Sequence, residues 1–444
     1  MHQVSKVVAS ILLSSLMTHA YGLSLFDAYQ AALVQDRQWR GAMAQSDADR
    51  EALPQAQAKL NPAVAFSNSY LKNQLNRSDL VDFNQRYPSR SNSLTLRQPL
   101  YQPKAYAQVD AAQAAMPGVD AELEKSRQAV AVRLISAYFQ LVFHTEKQQL
   151  LEAQTALLEA KLISAEMSFR SGRGTRTDID EIRAQRDALL VDALQVKQAA
   201  ALAGADVQLI TGILPKQVQR PHPQNFNVSD LQPAPFDTWL ERVMKTSPEL
   251  RAKIARAESL NAGLRIADAE RKPTLDFVTQ VVETHGESPY FVNARTLTRA
   301  VGVQLNVPIY QGGYEYSRER QALAIAREGQ EQAELAAQTV EQELRKTYFE
   351  LTEGLTRVRA LETARHSARQ SKHSNQKSFE AGVRTVLDVL QAEQRLLQVE
   401  SDLLQAKLST LSAWLRLHAS AAEIDMTIMQ TLGRHLSDSI KTGK

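Results

Sequence analysis

Cysteine is absent from the 444 residues, which excludes disulfides, thiol chemistry and a lipid anchor on an N-terminal cysteine. Glycine and proline are scarce, at 17 and 15, so little of the chain is obliged to break helix, and long stretches rich in Ala, Leu, Gln, Glu, Lys and Arg read as helical. After the opening residues no apolar run approaches the roughly 18 residues of a membrane-spanning helix. The balance of 52 basic against 49 acidic residues, a formal +3, gives no footing for a nucleic-acid partner. The nine histidines are scattered. His366 and His373 bring no acid or cysteine at metal-ligand spacing and read as a solvated helix face, so neither metal nor cofactor is expected. Gly172-Arg173-Gly174 follows no strand and has no Lys-Ser/Thr ending, so it is no phosphate loop. Asp178, Asp180 and Glu181 cluster without a nucleophile and read as a charged first helical turn. An enzyme is not expected.

The chain does contain itself twice. Phe26-Asp27 recurs as Phe236-Asp237 and Tyr138-Phe139-Gln140-Leu141 as Tyr348-Phe349-Glu350-Leu351, both 210 residues apart. Pro62 recurs as Pro273, offset 211, and Pro99-Leu100-Tyr101-Gln102 as Pro308-Ile309-Tyr310-Gln311, offset 209. Phe169, Gly172, Thr175 and Asp178 map onto Phe379, Gly382, Thr385 and Asp388, again at 210. This period is far beyond solenoid repeats, so each half is read as a whole structural unit. The expected layout is a secretory signal at residues 1–22, a first repeat at 23–212, a proline-marked link at 213–235, a second repeat at 236–420 and a C-terminal segment at 421–444 that is only partly a loose tail. The signal rests on Lys6, the apolar run Val7–Met17, and Ala20 and Gly22 at the −3 and −1 positions of a cleavage site.

Helices dominate each repeat. Lys104–Arg170 has one interruption, Pro117-Gly118, and Tyr314–Glu380 has no proline. About 66 helical residues would reach roughly 100 Å, which demands a partner alongside. Sevenfold spacing supplies the seams, through Ile182, Leu189, Val196 and Ala203 in the first half and Leu390, Leu397, Leu404 and Leu411 in the second. Glu393, Gln394 and Glu400 occupy companion positions, so one face packs while another meets water or a neighbour. Gly172 and Gly382 mark the turns, because glycine takes the left-handed conformation that ends a helix. Each half therefore holds a long helical hairpin.

Four segments have period two instead. Val64, Phe66 and Tyr70 alternate with Ala65, Ser67 and Ser69, and Leu94 and Leu96 with Thr95 and Arg97. Leu275, Phe277, Thr279 and Val281 alternate with Thr274, Asp276, Val278 and Gln280, and Val301, Val303, Leu305 and Val307 with Gly302, Gln304 and Asn306. Segments of about ten residues suit tilted membrane strands, apolar outward and polar inward. Asn76–Arg90 and Thr284–Arg295 read as polar, irregular external loops. Four membrane strands would leave two unpaired edges, which one chain cannot close but several copies around an axis can. Pro99 and Pro308 would end strands at the membrane surface, where Tyr101 and Tyr310 are favoured. Two soluble hairpins in a periplasmic coiled-coil scaffold are the alternative.

The twofold repeat, the strand–Pro-x-Tyr-Gln–helix joints and the run Gly382–Val389 together resemble the TolC family of outer-membrane exit ducts, over roughly Leu23 to Ser420. The resemblance implies a mainly α protein with a membrane β-barrel portion: a homotrimer with a shared twelve-stranded barrel and a periplasmic α-helical barrel. It also implies outer-membrane lipid around the barrel, a periplasmic adaptor protein, and an inner-membrane ABC or proton-driven pump. The missing lipid-anchor cysteine favours members serving one-step (type I) protein secretion over multidrug efflux. By the same resemblance Thr177, Asp178, Phe379, Arg384, Asp388 and Gln391 are the periplasmic gate, and Gly172 and Gly382 mark adaptor-docking turns. Two positions depart from the family: Phe379 stands where a tyrosine is frequent, and Gln391 where a second aspartate is. Both departures imply a latch resting more on Arg384, and a weaker cation block.

Overall fold

The computed structural model describes residues 23–77, 83–172, 174–221, 228–288 and 291–441. The signal reading therefore lies outside the described residues, as does Arg173. Helices α1 (Leu25–Gln35), α2 (Arg37–Arg50) and α3 (Ala52–Ala58) lead into strands β1 (Ala63–Arg77) and β2 (Phe83–Tyr101), then helices α4 (Pro103–Arg170) and α5 (Arg176–Thr211). Strand β3 (Gln217–Pro221) and a 3-10 turn (Val228–Leu231) follow. The order then repeats: α6 (Phe236–Thr246), α7 (Pro248–Ala269), β4 (Thr274–Ser288), β5 (Phe291–Asn306), α8 (Tyr314–Glu380) and α9 (Val386–Ser420), closed by α10 (Met426–Arg434) and β6 (Leu436–Lys441). The matched helices agree in length, α4 with 68 residues against α8 with 67, and α5 with 36 against α9 with 35.

Two compact units form, each drawing on both halves of the sequence. The first takes the chain up to Met43, Leu123–Pro248 and Thr339 onward, and contains the distal parts of both helical hairpins. Its core gathers Tyr29, Leu134, Tyr138, Val207, Leu351, Leu411 and Leu415, all essentially without exposure. Tyr138 shows how the pieces are stapled: its hydroxyl donates to Leu23 O at 2.8 Å and accepts from Gln219 N at 2.8 Å. Burial pushes the Tyr138 hydroxyl pKa far up, so it stays a donor. Strand β3 pairs antiparallel with β6, joining the link between the halves to the C-terminal segment. Their register, Val218 opposite Ile440, gives these short strands a backbone partner that periodicity alone does not reveal.

The second unit, Ala44–Glu122 with Glu249–Gln338, holds a four-stranded sheet in the order β1-β2-β4-β5. Every neighbour is antiparallel, and the β2–β4 pair joins one half of the sequence to the other. The strands extend further than their apolar alternation. Residues 83–90, 284–288 and 291–295, expected as irregular loop, are paired strand, because the ladder needs backbone partners rather than apolar side chains. Only 78–82 and 289–290 of those loops lie outside the described residues. Pro88 is tolerated because β4 pairs with β2 only from Ser89 on, leaving β2 a free side at that point.

The Pro117-Gly118 break is not realised either. Helix α4 runs through Pro117, which forfeits one hydrogen bond. Gly118 lets helix α7 approach so closely that an added Cβ would lie 3.2 Å from Ala255 Cβ.

Candidate functional site

Two regions carry the functional reading, the sheet and the hairpin turns. Residues directly opposite one another in the sheet share a face. Val64, Leu96, Thr279 and Val301 form one cross-sheet row, and Phe66, Leu94, Val281 and Arg299 the next. Val64, Phe66, Leu94, Val301, Val303 and Leu305 are exposed on this face. The other face is mixed: Ser67 and Ser93, their hydroxyls 2.7 Å apart, share it with Leu71, Tyr87, Val282 and Arg97. Strands β1 and β5 are edges whose outer backbone groups have no partner within the sheet. An apolar face and two open edges are what water tolerates poorly, and a closed barrel in lipid requires the same pattern.

The joints differ between the halves. In the first, a bulge between Pro99 and Tyr101 leaves Leu100 unpaired, and α4 opens at Pro103, a position where proline's missing N–H costs nothing. Beneath this joint Arg97 Nη2 reaches Asp276 Oδ2 at 2.5 Å, and Gln102 Nε2 donates to Asp276 Oδ1 at 3.0 Å. In the second joint β5 ends at Asn306, and Pro308, Ile309 and Tyr310 precede Gly312 and Gly313, both in the left-handed region at φ 66° and 83°. Ile309 and Tyr310 are almost fully exposed.

The two turns have the same backbone. Gly172 (φ 74°) and Gly382 (φ 75°) donate to Phe169 O at 3.0 Å and Phe379 O at 2.8 Å, and Gly174 and Arg384 donate to Ser168 O and Ser378 O at 3.2 and 3.3 Å. Nothing lies within 4 Å of a Cβ built on Gly172 or Gly382, so their glycine identity answers to backbone conformation. Each following helix opens with a capping box. Thr175 N donates to Asp178 Oδ2 while Asp178 N donates to Thr175 Oγ1, both at 3.1 Å. Thr385 and Asp388 repeat the exchange at 3.0 and 3.3 Å. Thr175 is thus the cap, and Thr177 sits exposed inside the first turn. Arg384, in the turn just before the cap, has its Nη1 3.2 Å from Asp388 Oδ1 in the first turn of α9. Hydrogen bonds from the Thr385 backbone and hydroxyl, with help from Arg384, hold the Asp388 carboxyl below its ordinary pKa. Phe379 and Gln391 are exposed.

One group near the turns escaped the sequence reading. Glu393 has a side chain only 3% exposed, and Lys161 Nζ donates to its Oε2 at 2.7 Å while Lys372 Nζ lies 3.4 Å from its Oε1. Gln154 adds a bond of 3.5 Å. The signal was present: Glu393 falls three residues after Leu390, at an inward companion position, where a carboxylate needs a cation. The surrounding seam of Leu151, Leu158, Ile182, Leu189 and Leu390 is apolar and joins the two hairpins. Among the described residues no group of histidine or acidic side chains could hold a metal, and no helix is long and apolar enough to cross a membrane.

With this geometry in view, the profile of the outer membrane efflux protein family matches residues 28–212 and again 239–423. The chain belongs to that family. Its two matches coincide with the two halves, and the resemblance to exit ducts read from the repeat holds. The family chain is 26% identical over 414 residues to the alkaline protease secretion protein AprF of Pseudomonas aeruginosa, covering 91% of this chain and 86% of that protein. It is 27% identical over 446 residues to the proteases secretion protein PrtF of Dickeya chrysanthemi, covering 96% and 94%. Its fold matches the CmeC outer membrane channel of Campylobacter jejuni with a TM-score of 0.75 at 14% identity, over 94% of this chain and 90% of that one. This family member is an outer-membrane protein with a periplasmic extension.

Proposed function

We propose that the protein is the exit duct of a tripartite exporter, passively conducting substrate from an inner-membrane pump and a periplasmic adaptor to the exterior, in type I protein secretion. The observation that carries this reading is the four-stranded sheet with an exposed apolar face and two open edges. Copies of the chain around an axis would pair β1 with β5, satisfying the edge groups that hydrocarbon leaves without water. Three chains would make the twelve-stranded barrel and a helical barrel below it. Exposed Leu194, Leu202 and Leu209 on α5 support a neighbouring helix in such an assembly. Protein cargo is favoured by AprF and PrtF, both named for protease secretion. Small-molecule efflux is the second reading, favoured by the family's description as efflux proteins. The reaction class is conduction, with the energy supplied elsewhere.

The proposed gate is the pair of turns with Thr177, Asp178, Phe379, Arg384, Asp388 and Gln391, and the proposed adaptor contacts surround Gly172 and Gly382. The Arg384–Asp388 pair supports a charged constriction, and in this reading Pro99, Tyr101, Pro308 and Tyr310 would lie at the membrane surface. A deletion strain compared with its parent tests the cargo. Loss of one or a few large proteins from the medium supports secretion, and sensitivity to detergents and dyes with unchanged secreted protein transfers the duct to efflux.

A further inference from the structure

Charge is distributed very unevenly over the sheet. Counting directly opposed residues as one face, Lys72, Arg86, Arg90, Arg295 and Arg299 all lie on the face that carries Val64, Phe66 and Val301. On the opposite face the register places two basic residues, Arg97, already bound to Asp276, and Arg77 at the very end of β1. The five cations are also confined along the strands. Rows close to the helix-joined end, such as Val64–Leu96–Thr279–Val301, are uncharged, and the cations start at the Arg299 row and continue towards the hairpin turns.

Among the strand residues whose side chains are described, Glu283 is the one carboxylate on this face. Glu283, in the row below Arg90 and Arg295, is held by Arg295, by His285 Nε2 at 3.3 Å and by Asn92 Nδ2 at 3.4 Å. Arg90 stacks on Tyr70, its guanidinium carbon 5.2 Å from the ring centre, in the arrangement of an interfacial arginine and tyrosine. Arg299 shares its row with Phe66, Leu94 and Val281, and its stem is long enough to carry the guanidinium towards the hairpin end. Cations directed at hydrocarbon are costly unless they meet anions at its boundary. Arginine forks match phosphate oxygens in two-point hydrogen bonds.

We propose that the hairpin end of the sheet's apolar face is a binding surface for outer-leaflet lipid headgroups whose phosphate is uncapped and net anionic, centred on Arg90, Arg295 and Arg299. The surface anchors the barrel at a fixed depth, with the Glu283 network orienting Arg295. It rests on the membrane-barrel reading of the sheet. Full-length protein is first floated with phosphatidylcholine vesicles; failure to insert removes the barrel reading, whereas insertion leaves the phosphate question to the next step. Native mass spectrometry of the inserted protein, extracted with phosphatidic acid or phosphatidylcholine, then counts retained lipid. Phosphatidic acid is retained about tenfold better, and the preference disappears in R90Q/R295Q/R299Q while R327Q on helix α8 keeps it. R90K/R295K/R299K keeps most of it, which separates charge from misfolding. Equal retention of both lipids, an unchanged preference in the glutamine variant, or displacement by an equal concentration of inorganic phosphate overturns the proposal, the last by assigning the site to free anion.

Discussion

Arg183 and Glu393 stand at equivalent places in the two helical hairpins, 210 residues apart. Arg183 is half exposed and lies 3.5 Å from Glu166 and 3.6 Å from Asp180, whereas Glu393 is buried on Lys161 and Lys372. The turns beside them are alike, with the same glycine conformation and the same capping box. Duplication has therefore preserved what the local backbone needs. It has released the positions where one hairpin meets the other, because the two copies have different neighbours there.

Substitutions at the two positions test this directly. Glu393→Ala strands two lysines against an apolar seam, and a loss of about 3 kcal/mol is expected, near the low end for breaking a buried pair because both lysines retain some solvent. Arg183→Gln changes stability by about 0.5 kcal/mol or less. Chemical denaturation of the two variants checks the contrast, and equal losses would sink it. A second break in the repeat lies at Gly354, whose counterpart is His144. A Cβ at Gly354 would lie 2.7 Å from Thr410 Oγ1, and Thr410 is buried and bonded to Ala406 O at 2.7 Å, so it has nowhere to retreat. Gly354→Ala is expected to cost about 2 kcal/mol by overpacking, read from the same denaturation curves.

Smaller effects are expected to be equal in the two halves. Thr175→Ala and Thr385→Ala each remove a capping box and cost about 1 kcal/mol, and a large inequality in amide exchange of the two turns would show that their environments differ more than their backbones do. A last effect belongs to one half alone. His418 packs against Trp414 and Trp239, ring centres 4.3 and 5.1 Å apart, with Nδ1 2.7 Å from Glu423 Oε2. Burial lowers its pKa below the ordinary 6.5 in spite of Glu423. The unfolded chain thus takes up the proton first on acidification. His418 contributes stability that is present above the ordinary value and lost as pH falls below it. Denaturation midpoints measured at descending pH should show this slope flattened in His418→Gln.

Much of the architecture was legible. Phe169–Asp178 and Phe379–Asp388 announced two matched turns, and Ile182, Leu189 and Val196 announced a seam that is indeed buried. The alternation around Phe66 and Val303 announced an apolar sheet face. What escaped were features without period. Residues 83–90, 284–288 and 291–295 carry no apolar alternation but take strand from their neighbours' backbone, and β6 exists because β3 lies beside it. Glu393 was read as a reason for a wet face, since its two lysines sit 232 and 21 residues away in sequence.

The sequence by itself determined the duplication, the helical and alternating segments, the glycine-ended turns and the caps that follow them, because each depends on residues within a few positions of one another. Only the tertiary structure decided the order β1-β2-β4-β5, the gathering of cations on one face, the β3–β6 pair and the burial of Glu393 between two lysines. Those arrangements are set by which distant backbone edges and charges are brought together, and desolvation, which makes such pairings decisive, acts only once the chain has closed around them.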